Sequence, residues 1–138
     1  MITTVEKLLF LRGVPLFADV PGEDLAQIAL IAEELDAEPG AELVREGDAG
    51  DSLYLVVEGR LRVLRAGREV SSLGEREVFG EMALLDPAPR SATVQAASDV
   101  RVLRIHREEF AEVLAERPEV ARGVIQVLVR RLREATAR

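Results

Sequence analysis

Cysteine and tryptophan are absent from the 138-residue chain, and tyrosine and histidine occur once each. Each shortage removes a class of function. Without cysteine there is no disulfide framework, no thiolate nucleophile and no zinc site of cysteine type, which suits a reducing, cytoplasmic setting. The single histidine, His106, makes a histidine-rich metal site or a catalytic triad almost impossible to assemble. The expectation is therefore no enzyme activity, no metal and no catalytic cofactor, with His106 a surface residue between a strand and a helix. Long apolar runs are lacking too: "LLFL" is flanked by Glu6, Lys7 and Arg12 and falls far short of the ~20 residues of a membrane span, so it reads as a helix without membrane insertion. Basic residues are outnumbered, 18 against 25 acidic, for a net charge of −7. That balance argues against direct nucleic-acid binding, which needs clustered Lys and Arg to neutralise phosphates. No helix-turn-helix pattern follows the terminal helix, so a DNA-reading role would require this chain to be a fragment.

What is present fits one domain, residues 1–138. "VPGEDLAQIALIAEEL" opens with Pro21, Glu23 and Asp24 and sets Leu25, Ile28, Ala29, Ala32 and Leu35 at helical spacing, which predicts an amphipathic helix. After "AEPG" come short β-prone runs punctuated by Gly40, Gly47, Gly50, Gly59, Gly67, Gly74 and Gly80, the pattern of a small sandwich or barrel. "SLYLVV" is apolar throughout and reads as a buried strand, whereas Leu61 and Val63 alternate with Arg60 and Arg62 as a half-exposed strand does. From Arg107 the period is helical again: Phe110, Val113 and Leu114 form one stripe, Pro118 breaks it, and a second helix runs from about Glu119 to the end. That helix carries two stripes, Val120, Val124, Val127 and Leu128 on one side and Ile125, Val129 and Leu132 on another. One can cover the barrel. The other is left for a second copy of the chain or for Leu8, Leu9 and Leu11 of the same chain. The expected organisation is N-terminal helices over 1–38, strands over 39–106 and C-terminal helices over 107–138: a mainly β, α+β fold with flanking helices.

Between two of the strands lies "FGEMALLDPAPRSATV", residues 79–94. Gly80 lets the backbone turn sharply and come close to a ligand, and "EMALL" is a good helix former whose first-turn N–H groups would face an anion. Arg90 adds a planar fork of donors suited to two phosphate oxygens, Pro89 fixes the approach, and Ser91 adds a hydroxyl. Glu81, so near an anion, would instead accept hydrogen bonds from neutral hydroxyls. Anion and hydroxyl together describe a sugar phosphate. The plain alternative is a structural turn in which Arg90 pairs with Glu81 or Asp86 and no ligand is held.

Phe79, Gly80, Glu81, Met82, Ala83, Leu84, Pro89, Arg90, Ala92 and Thr93 stand in the order and spacing of a phosphate-binding cassette, and the chain resembles the cyclic nucleotide-binding domain family. "GDAGDSLYLVVEGRLRV" and "REEFAEVLAERPEV" extend the resemblance over roughly the whole chain. It implies a β-roll, a jelly-roll-like barrel, with a short cassette helix within 79–93. It also implies a regulatory ligand, cAMP or cGMP, whose ribose 2′-hydroxyl goes to Glu81 and whose equatorial phosphate oxygen goes to Arg90. Further donors would come from Gly80, Met82, Ala83, Ser91 and Ala92, with Val70 and Ser71 against the nucleotide. The serine after the cassette arginine is what bacterial cAMP-responsive activators carry, where a threonine favours cGMP, so cAMP is the expected ligand. In that branch the long terminal helix supplies an arginine, matched by Arg131, and a hydroxyl, where this chain has Ala135 with Thr136 beyond. The same helix pairs with its twin across a two-fold axis, which implies a homodimer. The effector, whether fused or separate, is not specified by any of these residues.

Overall fold

The computed structural model describes residues 1–137. Thr3 and Glu6 form a reciprocal capping box that starts helix α1 (Thr4–Leu11), satisfying two orphan amides at once. A 3-10 turn, Pro15–Phe17, leads to α2 (Gly22–Ile31), and ten strands follow: β1 (Glu33–Ala37), β2 (Glu42–Val44), β3 (Ala49–Gly50), β4 (Ser52–Glu58), β5 (Leu61–Arg65), β6 (Arg68–Leu73), β7 (Val78–Phe79), β8 (Ala88–Pro89), β9 (Thr93–Ala96) and β10 (Val100–His106). Helices α3 (Arg107–Glu116) and α4 (Pro118–Thr136) close the chain, and the expected helical position of Arg138 lies outside the described residues. Two four-stranded antiparallel sheets, β1-β10-β4-β7 and β2-β9-β5-β6, form the roll, and β3 and β8 pair beside them. This is the mainly β architecture with flanking helices that the cassette resemblance implies. No described helix is long and apolar enough to cross a membrane.

The unbroken apolar run in β4 has a simple cause: both faces of that strand are covered. Leu53, Leu55 and Val57 pack with Phe17, Ile28, Phe110 and Val124 in the core under the helices, while Val56 joins Leu61, Val94, Ala96 and Val100 between the sheets. Side chains alternate across a strand, so a strand between two layers needs apolar residues at every position. Helix α4 enters the first core through Val120 and Val124, with Leu128 packed at its edge, and Val127 is buried beside them on the same face.

One expectation changes, one becomes more specific and one open alternative is removed. Leu35 is not on α2, because Ala32 turns extended (φ −78°, ψ 123°) and Glu33–Ala37 becomes β1. The roll therefore begins inside the segment assigned to N-terminal helices, before residue 39. A run of Glu33, Glu34 and Asp36 lacks a strand's usual composition, but it lies antiparallel to β10, whose Arg101 and Arg104 answer it: Arg101 Nε is 2.9 Å from Asp36 and 3.4 Å from Glu34, and Arg104 Nε is 2.9 Å from Glu33. Opposite charges on facing strands stabilise the pairing modestly. Second, the cassette helix is only a 3-10 turn, Met82–Leu84. Pro87 and Pro89 follow, and a residue before proline is steered out of helical backbone, so the turn cannot propagate. Third, the apolar side of α1 does not cover the second stripe of α4: Leu11 is buried within the helical core, Leu9 is 54% exposed, and Ile125, Val129 and Leu132 are exposed at 58%, 38% and 64%.

Candidate functional site

Where the two sheets part beside the cassette there is a cavity of about 460 Å³, within the range typical of small-molecule sites. Val44, Val63, Leu73, Val78 and Phe79 supply apolar walls, and Gly80, Glu81, Met82, Ala83, Arg90, Ser91 and Ala92 form the polar rim. Nine sequence-assigned residues thus meet around one space, counting Phe79 with the rim and Arg131, which reaches Glu81 from α4. Val70 and Ser71 are the exceptions. Neither lines the cavity; both are exposed on β6, where a register shift after Val63 leaves Val70 without a partner residue, and Leu73 takes the wall position instead.

Arg90 is held from behind. Its Nη2–H donates to the Ser52 carbonyl oxygen at 2.9 Å, and its guanidinium carbon lies 5.8 Å from the Tyr54 ring centre. Among the described residues no carboxylate comes within ion-pair distance of it, and its Nε is buried without a hydrogen-bond partner. The plain alternative, in which Arg90 is neutralised by Glu81 or Asp86, is therefore not what the chain does. A half-buried, unneutralised guanidinium at a cavity wall is a site prepared for an anion.

Two glycines make room for this. Gly80 has φ +76°, and a Cβ there would come within 2.3 Å of the Ser52 carbonyl oxygen and 2.6 Å of Arg90 Nη1. Gly50, which reads in the sequence as one more turn glycine, proves equally close: its Cβ would stand 2.3 Å from Arg90 Nε. The Gly50 backbone is not left-handed, so Gly50→Ala should leave the fold intact and displace only the guanidinium. The expected outcome is a loss of roughly tenfold in cyclic nucleotide affinity, the size of one charge-assisted bond, with an unchanged melting temperature. Retained affinity in a calorimetric titration would show that Arg90 tolerates the shift.

Glu81 also lines the cavity and is already in use. Its Oε2 accepts the Leu16 backbone N–H at 3.0 Å, and its Oε1 lies 2.7 Å from Arg131 Nη2. One carboxylate so joins the cassette to the N-terminal turn and to α4. A carboxylate has about four acceptor sites, which leaves capacity for a ligand hydroxyl. Arg131 is thus more than a basic complement to a helix end, and its Nη1 also approaches Met82 Sδ at 4.0 Å. A second tie holds α4 down: Arg130 bonds Asp19 through both Nη atoms, at 2.6 and 3.1 Å. The Arg130 hydrogen bond holds the Asp19 carboxyl below its ordinary value. A lowered carboxylate contributes its stabilisation fully above the unfolded value near 3.8 and loses it as pH falls through the folded one. Asp19→Asn should remove that acid-sensitive part of α4 docking, read as a flatter dependence of melting temperature on pH below 3.8 than the parent shows; an identical pH profile would count against the pairing.

The sequence left Gly50, Ser52, Tyr54 and Leu16 outside the site. Ser52 and Leu16 contribute only backbone atoms, which no side-chain pattern reveals, and Tyr54 lies within an apolar strand that reads as core. His106 does fall between β10 and α3, with Nδ1 3.1 Å from the Ser52 hydroxyl.

Residues 34–117 match the cyclic nucleotide-binding domain family, more than half of the chain. The chain is 37% identical over 131 residues to the cyclic AMP receptor protein of Thermus thermophilus, covering 91% of this chain and 60% of that protein. It is 30% identical over 134 residues to the CRP-like cAMP-activated global transcriptional regulator of Mycobacterium tuberculosis, covering 94% and 59%. Among solved structures, the N-terminal domain of a transcriptional regulator from Streptomyces coelicolor superposes with a TM-score of 0.87 at 37% identity, covering 93% of this chain and 95% of that one. The chain thus spans about 60% of the length of these two curated relatives.

Proposed function

This chain belongs to the cyclic nucleotide-binding domain family, and we propose that it is a regulatory module that captures one 3′,5′-cyclic purine nucleotide per protomer, cAMP in preference to cGMP, and answers by moving α4. The observation that carries the reading is Arg90, unneutralised and half-buried at the cavity wall. A cyclic phosphate seated there finds a planar pair of donors. The ribose 2′-hydroxyl then faces Glu81, which Arg131 of α4 also reaches, and the base has the apolar walls of Val44, Val63 and Leu73.

Signalling follows from what Glu81 already holds. A ligand hydroxyl that donates to this carboxylate shares it with Arg131 and with the Leu16 N–H, so ligand occupancy is coupled through one side chain to the position of α4 and of the Pro15–Phe17 turn. The coupling can be no larger than the ligand's difference in affinity for the two arrangements. Preference for cAMP rests on Ser91 after Arg90, at the rim of the cavity, in agreement with relatives named for cAMP. A competition titration tests it: cGMP displacing bound cAMP at equal concentration would overturn the preference. A second reading, that this is the sensor part of a longer transcription regulator, is favoured by the 95% coverage of a regulator's N-terminal domain. In that case α4 passes its movement to a following segment.

A further inference from the structure

We propose that Tyr54, which does not line the cavity, is a positioning residue that holds Arg90 in its phosphate-reading pose through the face of its ring. The inference rests on the reading of Arg90 as the phosphate-binding group. Tyr54 is 6% exposed on β4 and stacks on Phe79 of β7, ring centres 4.7 Å apart and planes 7° from parallel. That stack fixes the plane of the tyrosine ring. The Arg90 guanidinium carbon is 5.8 Å from the ring centre, inside the distance at which a cation is attracted by the aromatic quadrupole.

The ring matters because Arg90 lacks other compensation. The Ser52 carbonyl is the only protein acceptor of its guanidinium among the described residues, and Nε is buried with none. Burying part of a cation without an acceptor is costly, and the attraction of an aromatic face grows as water is excluded. The backbone at Gly50 and at Gly80 passes close to the guanidinium, with room for no Cβ at either, and Tyr54 forms part of its bed. Before the phosphate arrives, the ring supplies the negative potential that keeps the cation there rather than swung out to solvent. Arg90 is then paid for in advance, and binding does not have to order it.

The test is a series of side chains at one position, read by calorimetric titration with cAMP. Tyr54→Phe should bind within about twofold of the parent, because the hydroxyl plays no part; phenylalanines carrying one, two and three ring fluorines, which keep the shape and drain the ring face, should lose affinity stepwise, to about five- to thirtyfold. Tyr54→Leu should lose as much, and should cost nothing further in an Arg90→Ala background. Should Tyr54→Leu fail to fold, the fluorinated series decides alone. A flat fluorine series, or a Tyr54→Leu loss that persists without Arg90, would overturn the proposal. A separate arm needs no ligand: in the free protein the Arg90 Nε–H proton resonance should be displaced by the ring current of residue 54 and return in Tyr54→Leu. If the parent binds neither cAMP nor cGMP while that displacement is seen, the binding reading fails and the positioning of Arg90 stands; an Nε–H resonance indifferent to Tyr54 sinks the positioning whatever the parent binds.

Discussion

Arg90→Ala is expected to weaken cyclic nucleotide binding more than tenfold while leaving the free protein as stable as the parent or slightly more so. The two halves of this expectation have one cause. In the free chain the half-buried Arg90 guanidinium has an unpartnered Nε and a single side-chain hydrogen bond, to the Ser52 carbonyl, and a partly buried charge without a counter-charge adds little to the stability of a fold. An anionic ligand adds charge-assisted bonds of roughly 1.5–3 kcal/mol, which is tenfold or more in the dissociation constant. Calorimetric titration and a thermal melt on the same preparation separate the effects. An alanine variant that titrates like the parent would remove the phosphate assignment, and one that melts far below it would make Arg90 a structural residue.

The second large effect is on assembly. Val129→Glu with Leu132→Glu should convert a dimer into a folded monomer in sedimentation velocity. Ile125, Val129 and Leu132 form an exposed stripe on α4, at helical spacing, on the side away from buried Val120, Val124 and Val127. Neither α1 nor the roll covers it. An uncovered apolar stripe on a long helix fits its own copy across a two-fold axis, where each residue is buried twice, and full burial of such a side chain contributes roughly 1.5–3 kcal/mol. Because the stripe lies outside the core, the melting temperature of the doubly substituted chain should fall only by what the lost dimer contributed. A parent that sediments as a monomer, or a substituted chain that keeps its oligomeric state, would contradict the two-fold contact.

The two effects share α4, since Arg131 of the same helix reaches Glu81 at the cassette. If the exposed stripe of α4 meets a second copy as proposed, the helix would couple that contact to the cassette. Glu81→Gln would test this link: it keeps the shape, removes the charge facing Arg131, and should loosen α4 in the free protein as well as weaken ribose recognition.

Much of the site was legible because its chemistry is local in sequence. Gly80, Glu81, Arg90 and Ser91 lie on one loop, and their types alone describe an anion beside hydroxyls. The apolar run of β4 and the two stripes of α4 were legible for the same reason, since burial on two sides or one leaves its period in the chain. β1 was not, because Glu33, Glu34 and Asp36 are stabilised as a strand by arginines about 65 to 71 residues away; helical spacing of Ala32 and Leu35 was the stronger local signal, and tertiary pairing overrode it. The cassette helix is short for a local reason: "EMALL" has helical propensity, but two prolines close behind limit it to one 3-10 turn. Val70 and Ser71 stand outside the cavity lining because a bulge in β6, which no local pattern reveals, changes which side chains face it. Gly50, Ser52 and Tyr54 belong to the site only because β3 and β4 pass behind Arg90.

Titration of the unmodified chain with cAMP, and separately with cGMP, tests the central claim most directly. The expected result is saturable binding of one nucleotide per protomer, with cAMP the tighter ligand. Absence of heat and of any shift in melting temperature with either nucleotide, at concentrations up to about a millimolar, would contradict it.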